Sequence, residues 1–253
     1  MKFRWSLIII VSMALTFCAS SQKKIERSRT KNPRYQYNVG LVHLNRGNVD
    51  EAIKYLNRSL ALNPNYYLAL NALGLAYFMK GDLPQAADYL QRCLAINPSF
   101  SEARNNLGMV YQEQGLLDKA QQEYRLAAAD KNYSSRELPY YNLARLYLTQ
   151  EKLQDALEHV MKAVELNKNM AMAHNLEGMI HEKLDQLDQA IDSYTRAVRI
   201  DPLSVEFSFN LAVAYFKNKE FEEAEEIFER IYDKTTDPEM KEKIDQYLKI
   251  IKK

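Results

Sequence analysis

Cysteine is scarce: Cys18 and Cys93 are the only two in 253 residues. One disulfide is the most they can form, so the fold cannot rest on a disulfide framework. An excess of either charge is missing too. Thirty-four basic residues stand against 33 acidic ones, a formal net charge of +1, which gives no general electrostatic footprint for nucleic acid and leaves only a local patch open. Glycine is also rare, seven residues in all, and neither GxGxxG nor GxxxxGK(S/T) occurs. Nucleotide chemistry that depends on those two phosphate loops is excluded. The apolar stretch near the start, Trp5 to Phe17, has 13 residues, short of the ~20 needed to cross a bilayer as a helix. The remaining composition, 47% hydrophobic and 26% charged, excludes wholesale disorder.

The few glycines lie on a grid. The first six form the pairs Gly40 and Gly47, Gly74 and Gly81, Gly108 and Gly115, and successive pairs start 34 residues apart. A fixed period of this length marks a repeat architecture. With the first glycine of each pair numbered position 8, the units begin at Pro33, Tyr67, Ser101, Glu137, Ala171 and Val205. Position 8 is small throughout (Gly40, Gly74, Gly108, Ala144, Gly178, Ala212), and position 20 is always alanine (Ala52, Ala86, Ala120, Ala156, Ala190, Ala224). Position 11 is always a ring (His43, Tyr77, Tyr111, Tyr147, His181, Tyr215), and position 24 is large (Leu56, Leu90, Tyr124, Val160, Tyr194, Phe228). Small residues at 8 and 20 let two helices approach closely, while 11 and 24 fill the space beside them. Proline at position 32 (Pro64, Pro98, Pro202) stops the second helix.

This grid resembles the tetratricopeptide repeat from residue 33 to about 237. The resemblance implies an all-α, right-handed superhelical solenoid. Its six repeats are 33–66, 67–100, 101–134, 137–170, 171–204 and 205–237, with a polar-faced capping helix at 238–253. Three departures stand out. Asn132, Lys168 and Thr236 replace the proline, and Glu151, Asp185 and Lys219 replace the turn glycine at position 15. The third and fourth units start 36 residues apart, which predicts a locally longer element at the middle joint.

Residues 1–17 read as an address. Lys2 and Arg4 precede the short apolar core, the pattern of a secretory signal peptide, with a signal anchor as the alternative. Leu15-Thr16-Phe17-Cys18 resembles the lipobox of bacterial lipoproteins, with Phe17 where a small residue is usual. The resemblance implies cleavage before Cys18 and acylation of that residue, and Ala19 resembles lipoproteins sorted to an outer membrane. Two acyl chains hold a protein at a membrane where one is marginal. Residues 18–32 are polar and basic and read as a flexible tether, a solvated spacer or one touching anionic head groups.

No chemistry emerges from the side chains. His43, His174 and His181 occupy scaffold positions, His159 stands apart on a second helix, and no Cys or His cluster completes a metal site. Neither GxSxG nor HExxH is present, Cys93 falls at a packing position, and the carboxylates Glu222, Glu223, Glu225 and Glu226 suit a solvated helix face. The expectation is a non-enzyme without cofactor, metal or small-molecule substrate, whose work is protein binding. In tetratricopeptide proteins the concave face is lined by positions 2, 5, 9, 12 and 13 of the first helix. Carried over, the lining includes Tyr37, Leu41, Leu44, Leu68, Asn71, Leu75, Phe78, Met79, Asn105 and Met109, and later units add Tyr141, Arg145, Met172, Asn175, Met179, Phe209 and Phe216. An apolar, Met-rich and Asn-dotted lining suits a hydrophobic peptide or strand, with partial burial against neighbouring helices as the alternative. The lysine–asparagine clamp for a C-terminal carboxylate is not evident.

Lipobox, tether, six repeats and a length near 250 together resemble the pilotins of type IV pilus systems. The stretch Asn105-Asn-Leu-Gly-Met-Val-Tyr-Gln-Glu-Gln-Gly115 and Tyr141-Asn-Leu-Ala144 also look like that family's third and fourth units. The resemblance implies an outer-membrane lipoprotein that binds secretin subunits through its early repeats and promotes their localisation and multimerisation. An envelope adaptor lipoprotein that docks cell-wall hydrolases or a protease is the alternative.

Overall fold

The computed structural model describes residues 30–253. The apolar stretch, the signature ending at Cys18 and all of the tether before residue 30 lie outside the described residues. Among the described residues there are 13 α-helices and no strand. The described residues divide into two units, the first ending at Gly115 and the second running from Leu116 to Lys253.

The first unit holds α1 (Pro33–Asn45), α2 (Val49–Leu62), α3 (Tyr67–Met79), α4 (Leu83–Ile96) and α5 (Ser101–Glu113). Its opening is encoded locally. Asn32 accepts hydrogen bonds from the backbone N–H of Arg34 and Tyr35 at 2.9 and 3.2 Å, and Pro33 supplies a first helical residue that needs no N–H partner. The second unit holds α6 (Leu117–Ala129), α7 (Glu137–Thr149), α8 (Leu153–Leu166), α9 (Ala171–Lys183), α10 (Leu187–Ile200), α11 (Val205–Lys217), α12 (Phe221–Tyr232) and α13 (Pro238–Ile251). Within each unit a helix packs on its chain neighbours, and α1, α3 and α5, like α7, α9 and α11, also touch one another in sequence.

Hairpin turns are three residues long, and their middle residue takes positive φ. In the first unit these are Gly47 (74°) and Gly81 (80°). In the second they are Glu151 (58°), Asp185 (60°) and Lys219 (66°). Loss of the glycine therefore leaves the turn unchanged. The Asn48 N–H reaches the His43 carbonyl at 2.9 Å, and the Lys152 N–H reaches Tyr147 at 3.0 Å. This is the bond that closes a helix end through a left-handed residue. An L residue there is strained by ~1–2 kcal/mol.

Joints between hairpins have a second device. Asn63, Asn167 and Asp201 each accept, through Oδ1, the backbone N–H two residues on, at 3.1, 3.1 and 3.2 Å. This side-chain turn competes with helix continuation. It explains why α8 ends at Leu166 although Lys168 stands where proline does the same work elsewhere. The longer element expected at the middle joint is the connection 130–136; α6 and α7 are both ordinary 13-residue helices. Asn132 N–H bonds Asp130 Oδ1 at 2.9 Å there, and the Arg136 guanidinium bonds the Ala128 carbonyl at 3.1 Å.

Core packing follows the grid. All six position-20 alanines have no exposed surface, and none of the six position-24 residues exceeds 1% exposure. A Cβ on Gly40 would lie 2.7 Å from Leu56 Cγ, and one on Gly178 would lie 2.6 Å from the Tyr194 ring. Helix contact is thus close where position 8 meets position 24, and each large side chain buried there contributes ~1.5–3 kcal/mol. The last helix closes the second unit: Ile244 is fully buried, and Tyr247 stacks on Phe228 at 5.0 Å.

Candidate functional site

The ten residues expected to line a binding face in the early repeats all fall in the first unit, on α1, α3 and α5. Helical spacing puts positions 2, 5, 9, 12 and 13 within about a third of the helix circumference. The structure divides them into two groups. Leu44, Asn71 and Asn105 are buried, at 6%, 5% and 4% exposure, so their side chains support the face from beneath. Tyr37, Leu41, Leu68, Leu75, Phe78 and Met109 are half-buried, and Met79 is half exposed.

The buried asparagines have a job that sequence reading missed. Asn71 Nδ2 donates to Glu102 Oε1 at 2.9 Å, and Asn71 Oδ1 accepts from Asn106 Nδ2 at 3.0 Å. This amide joins α3 to α5. The second unit repeats the arrangement: Asn210 Nδ2 donates to Asn175 Oδ1 at 3.0 Å, joining α9 to α11. Both pairs are 35 residues apart, position 5 of one repeat to position 6 of the next, and that recurrence was the available signal. Asn105 Nδ2 lies 4.0 Å from Met109 Sδ on its own helix.

Around the amide network the face is apolar. Tyr37 meets Tyr66 edge to face at 5.4 Å, and Leu41 and Leu75 pack on the buried cluster of Leu44, Leu56 and Leu73. Phe78 packs on the next cluster, with Leu90 and Leu107. Burial, helped by the Glu102 carboxylate, pushes the Tyr37 phenol above its ordinary pKa, so it remains a neutral donor. In the second unit, Met172 and Met179 are exposed at 52% and 37%, whereas Phe209 and Phe216 are covered by Tyr247 of α13 at 6.0 and 5.0 Å. Arg145 lies 5.8 Å from the Tyr141 ring centre.

This arrangement can hold apolar side chains of a partner against half-exposed leucine, phenylalanine and methionine, with polar groups fixed beside them. It offers no activated nucleophile. The Cys93 thiol is buried, donates to the Tyr67 carbonyl at 3.2 Å, and is pushed up to about 12 by burial. Among the described residues no group of three or more His, Cys, Asp or Glu could hold a metal ion. No helix among them is long and apolar enough to cross a membrane.

Two tetratricopeptide-repeat family models match the sequence, one at residues 16–67 and 37–101 and the other at 77–137. A model of the tetratricopeptide repeat protein 21 C-terminal ARM domain matches residues 130–246. No curated protein matches significantly in sequence. Among solved structures, pilF of Pseudomonas aeruginosa superimposes with a TM-score of 0.76 at 19% identity, covering 87% of this chain and 99% of its own. PilW, described as a widely conserved type IV pilus biogenesis factor, gives 0.77 at 14% identity, with 84% and 97% covered. The Cut9–Hcn1 assembly of the APC/C gives 0.75 at 18% identity, with 87% of this chain but 43% of that one. Identities this low speak for the fold. Repeat grid, hairpin geometry and family models agree: the chain is a tetratricopeptide-repeat protein, a protein-interaction scaffold.

Proposed function

We propose that this chain is a lipid-anchored envelope scaffold of the pilotin kind. Cys18 carries the acyl chains, and the face formed by α1, α3 and α5 takes up secretin subunits and promotes their assembly at the outer membrane. The observation that carries the reading is the match to pilF, which covers 87% of this chain and 99% of that one. The likeness to PilW supports it, as does the leucine three residues before Cys18. Acyl chains at one end and a cargo face on the same chain raise the local concentration of subunits at the membrane, which favours multimerisation without any new contact.

The test is a crosslinking pull-down from bacterial envelopes, wild type against a variant carrying Leu75→Asp, Phe78→Asp and Met109→Asp. A secretin recovered by the wild type and lost in the variant supports the reading. Recovery of a cell-wall hydrolase or protease instead transfers the function to an envelope adaptor. Cys18→Ala should leave cargo binding intact and misplace the cargo; unchanged localisation removes the anchor from the proposal.

A further inference from the structure

The joint between the fifth and sixth hairpins, residues 201–204, differs from the other four-residue joints of the chain. Its third residue is Leu203, where Asn65, Ser99 and Asn169 stand elsewhere. All four are exposed, and Leu203 is 83% exposed, the most open of the exposed large apolar residues. Three polar counterparts show that the turn does not need an apolar side chain there. The fourth residue differs as well. Tyr66, Phe100 and Met170 give way to Ser204, which caps α11 by accepting the Phe207 N–H at 3.2 Å.

Beside Leu203 a cleft of about 180 Å³ opens between α10, α11 and α12. Val198, Val205 and Ile231 are among its apolar lining residues, Ser208 in the lining is buried, and Arg230 and Lys234 in the lining are exposed. A cavity of about 150 Å³ accepts a benzene ring, so one large apolar side chain fits. The two cations are the informative part. At the same repeat position as Arg230, Arg58 lies over Tyr55, Arg92 over Tyr89, Lys162 pairs with Glu158, and Arg196 pairs with Asp192. Neither Arg230 nor Lys234 has an ion pair or ring partner among the described residues. An apolar slot with two uncommitted cations is complementary to an apolar side chain flanked by carboxylates.

We propose that this cleft docks a segment of a partner protein in which one large apolar side chain lies between acidic residues. The site is separate from the face on the first unit, so the two proposals stand or fall independently.

The experiment uses the full chain with isotope-labelled methyl groups and the blocked peptide Gly-Ser-Asp-Phe-Asp-Gly-Ser as probe. A control peptide carries lysine in place of both aspartates. Methyl resonances of Val198, Leu203, Val205 and Ile231 should shift with the acidic peptide at roughly millimolar concentration, and binding of the lysine peptide should be at least about threefold weaker. Arg230→Glu together with Lys234→Glu should invert that preference. Ser208→Leu, which places in the cleft the residue found at the same repeat position as Leu70, should abolish both shifts while circular dichroism remains unchanged. Equal binding of the two peptides, or shifts that survive Ser208→Leu, overturns the proposal. So does appearance of the same shifts on raising the protein concentration without peptide, because the occupant is then a second copy of the chain.

Discussion

Replacing Glu151, Asp185 and Lys219 by glycine should stabilise the second unit, although each change deletes a side chain. All three are exposed turn residues with φ near +60°, and none makes an ion pair among the described residues. The left-handed conformation costs an L residue ~1–2 kcal/mol. Glycine removes that strain but gains ~0.4–1 kcal/mol of unfolded-state entropy, so each site should yield a net ~0.5–1 kcal/mol. The sites are 34 residues apart in sequence and share no side-chain partner, so their effects should add to about 1.5–3 kcal/mol. Urea unfolding followed by circular dichroism measures the gain as a higher midpoint at unchanged slope. The reverse change provides the control. A Cβ on Gly47 or Gly81 would meet nothing within 4 Å, so Gly47→Ala and Gly81→Ala should lose a net ~0.5–1 kcal/mol through the backbone alone. A triple variant no more stable than wild type, or alanine variants without cost, would refute the assignment of strain to this turn.

Phe78→Asp should abolish cargo capture in the envelope pull-down while leaving the circular dichroism spectrum unchanged, because the side chain is only half-buried. Gly178→Ala brings a methyl into the Tyr194 ring and should destabilise by ~1–3 kcal/mol in urea titration. Asn71→Ala removes both amide bonds between α3 and α5, and should cost ~1–3 kcal/mol by the same measurement. Cys93 contributes a pH dependence: its folded thiol is pushed up to about 12, so the unfolded chain ionises first. Stability is therefore fully present below the unfolded thiol pKa and falls between about pH 9 and 12, by at most ~1.4 kcal/mol per pH unit. Comparing midpoints of wild type and Cys93→Ala across that range isolates the slope from the tyrosines, whose raised phenols act in the same direction.

Sequence carried the helical hairpins well because their determinants are short-range. Alanine at position 20 and a large residue at position 24 recur every 34 residues, or 36 across the middle joint, and steric exclusion leaves them one arrangement. The turns were less legible. Glu151, Asp185 and Lys219 do not look like turn glycines, yet the bonds that close the preceding helix force them into the same conformation. The stop at Lys168 was hidden because it comes from the neighbouring Asn167 side chain. On the binding face, Asn71 and Asn105 looked like ligand contacts because polar residues on an apolar stripe invite that reading. Their burial depends on how one hairpin sits on the next, a distance that no single repeat encodes.

The paired amides Asn71–Asn106 and Asn175–Asn210 also bear on alignment. Leucine stripes alone would tolerate one hairpin sliding by a turn along its neighbour, since apolar contacts are nondirectional. A slipped hairpin would leave the buried Asn71 or Asn175 amide without its partner, and that penalty rejects the misaligned stack. Leucine at all four sites should leave the helices intact yet broaden the ensemble, with several sliding states in place of one.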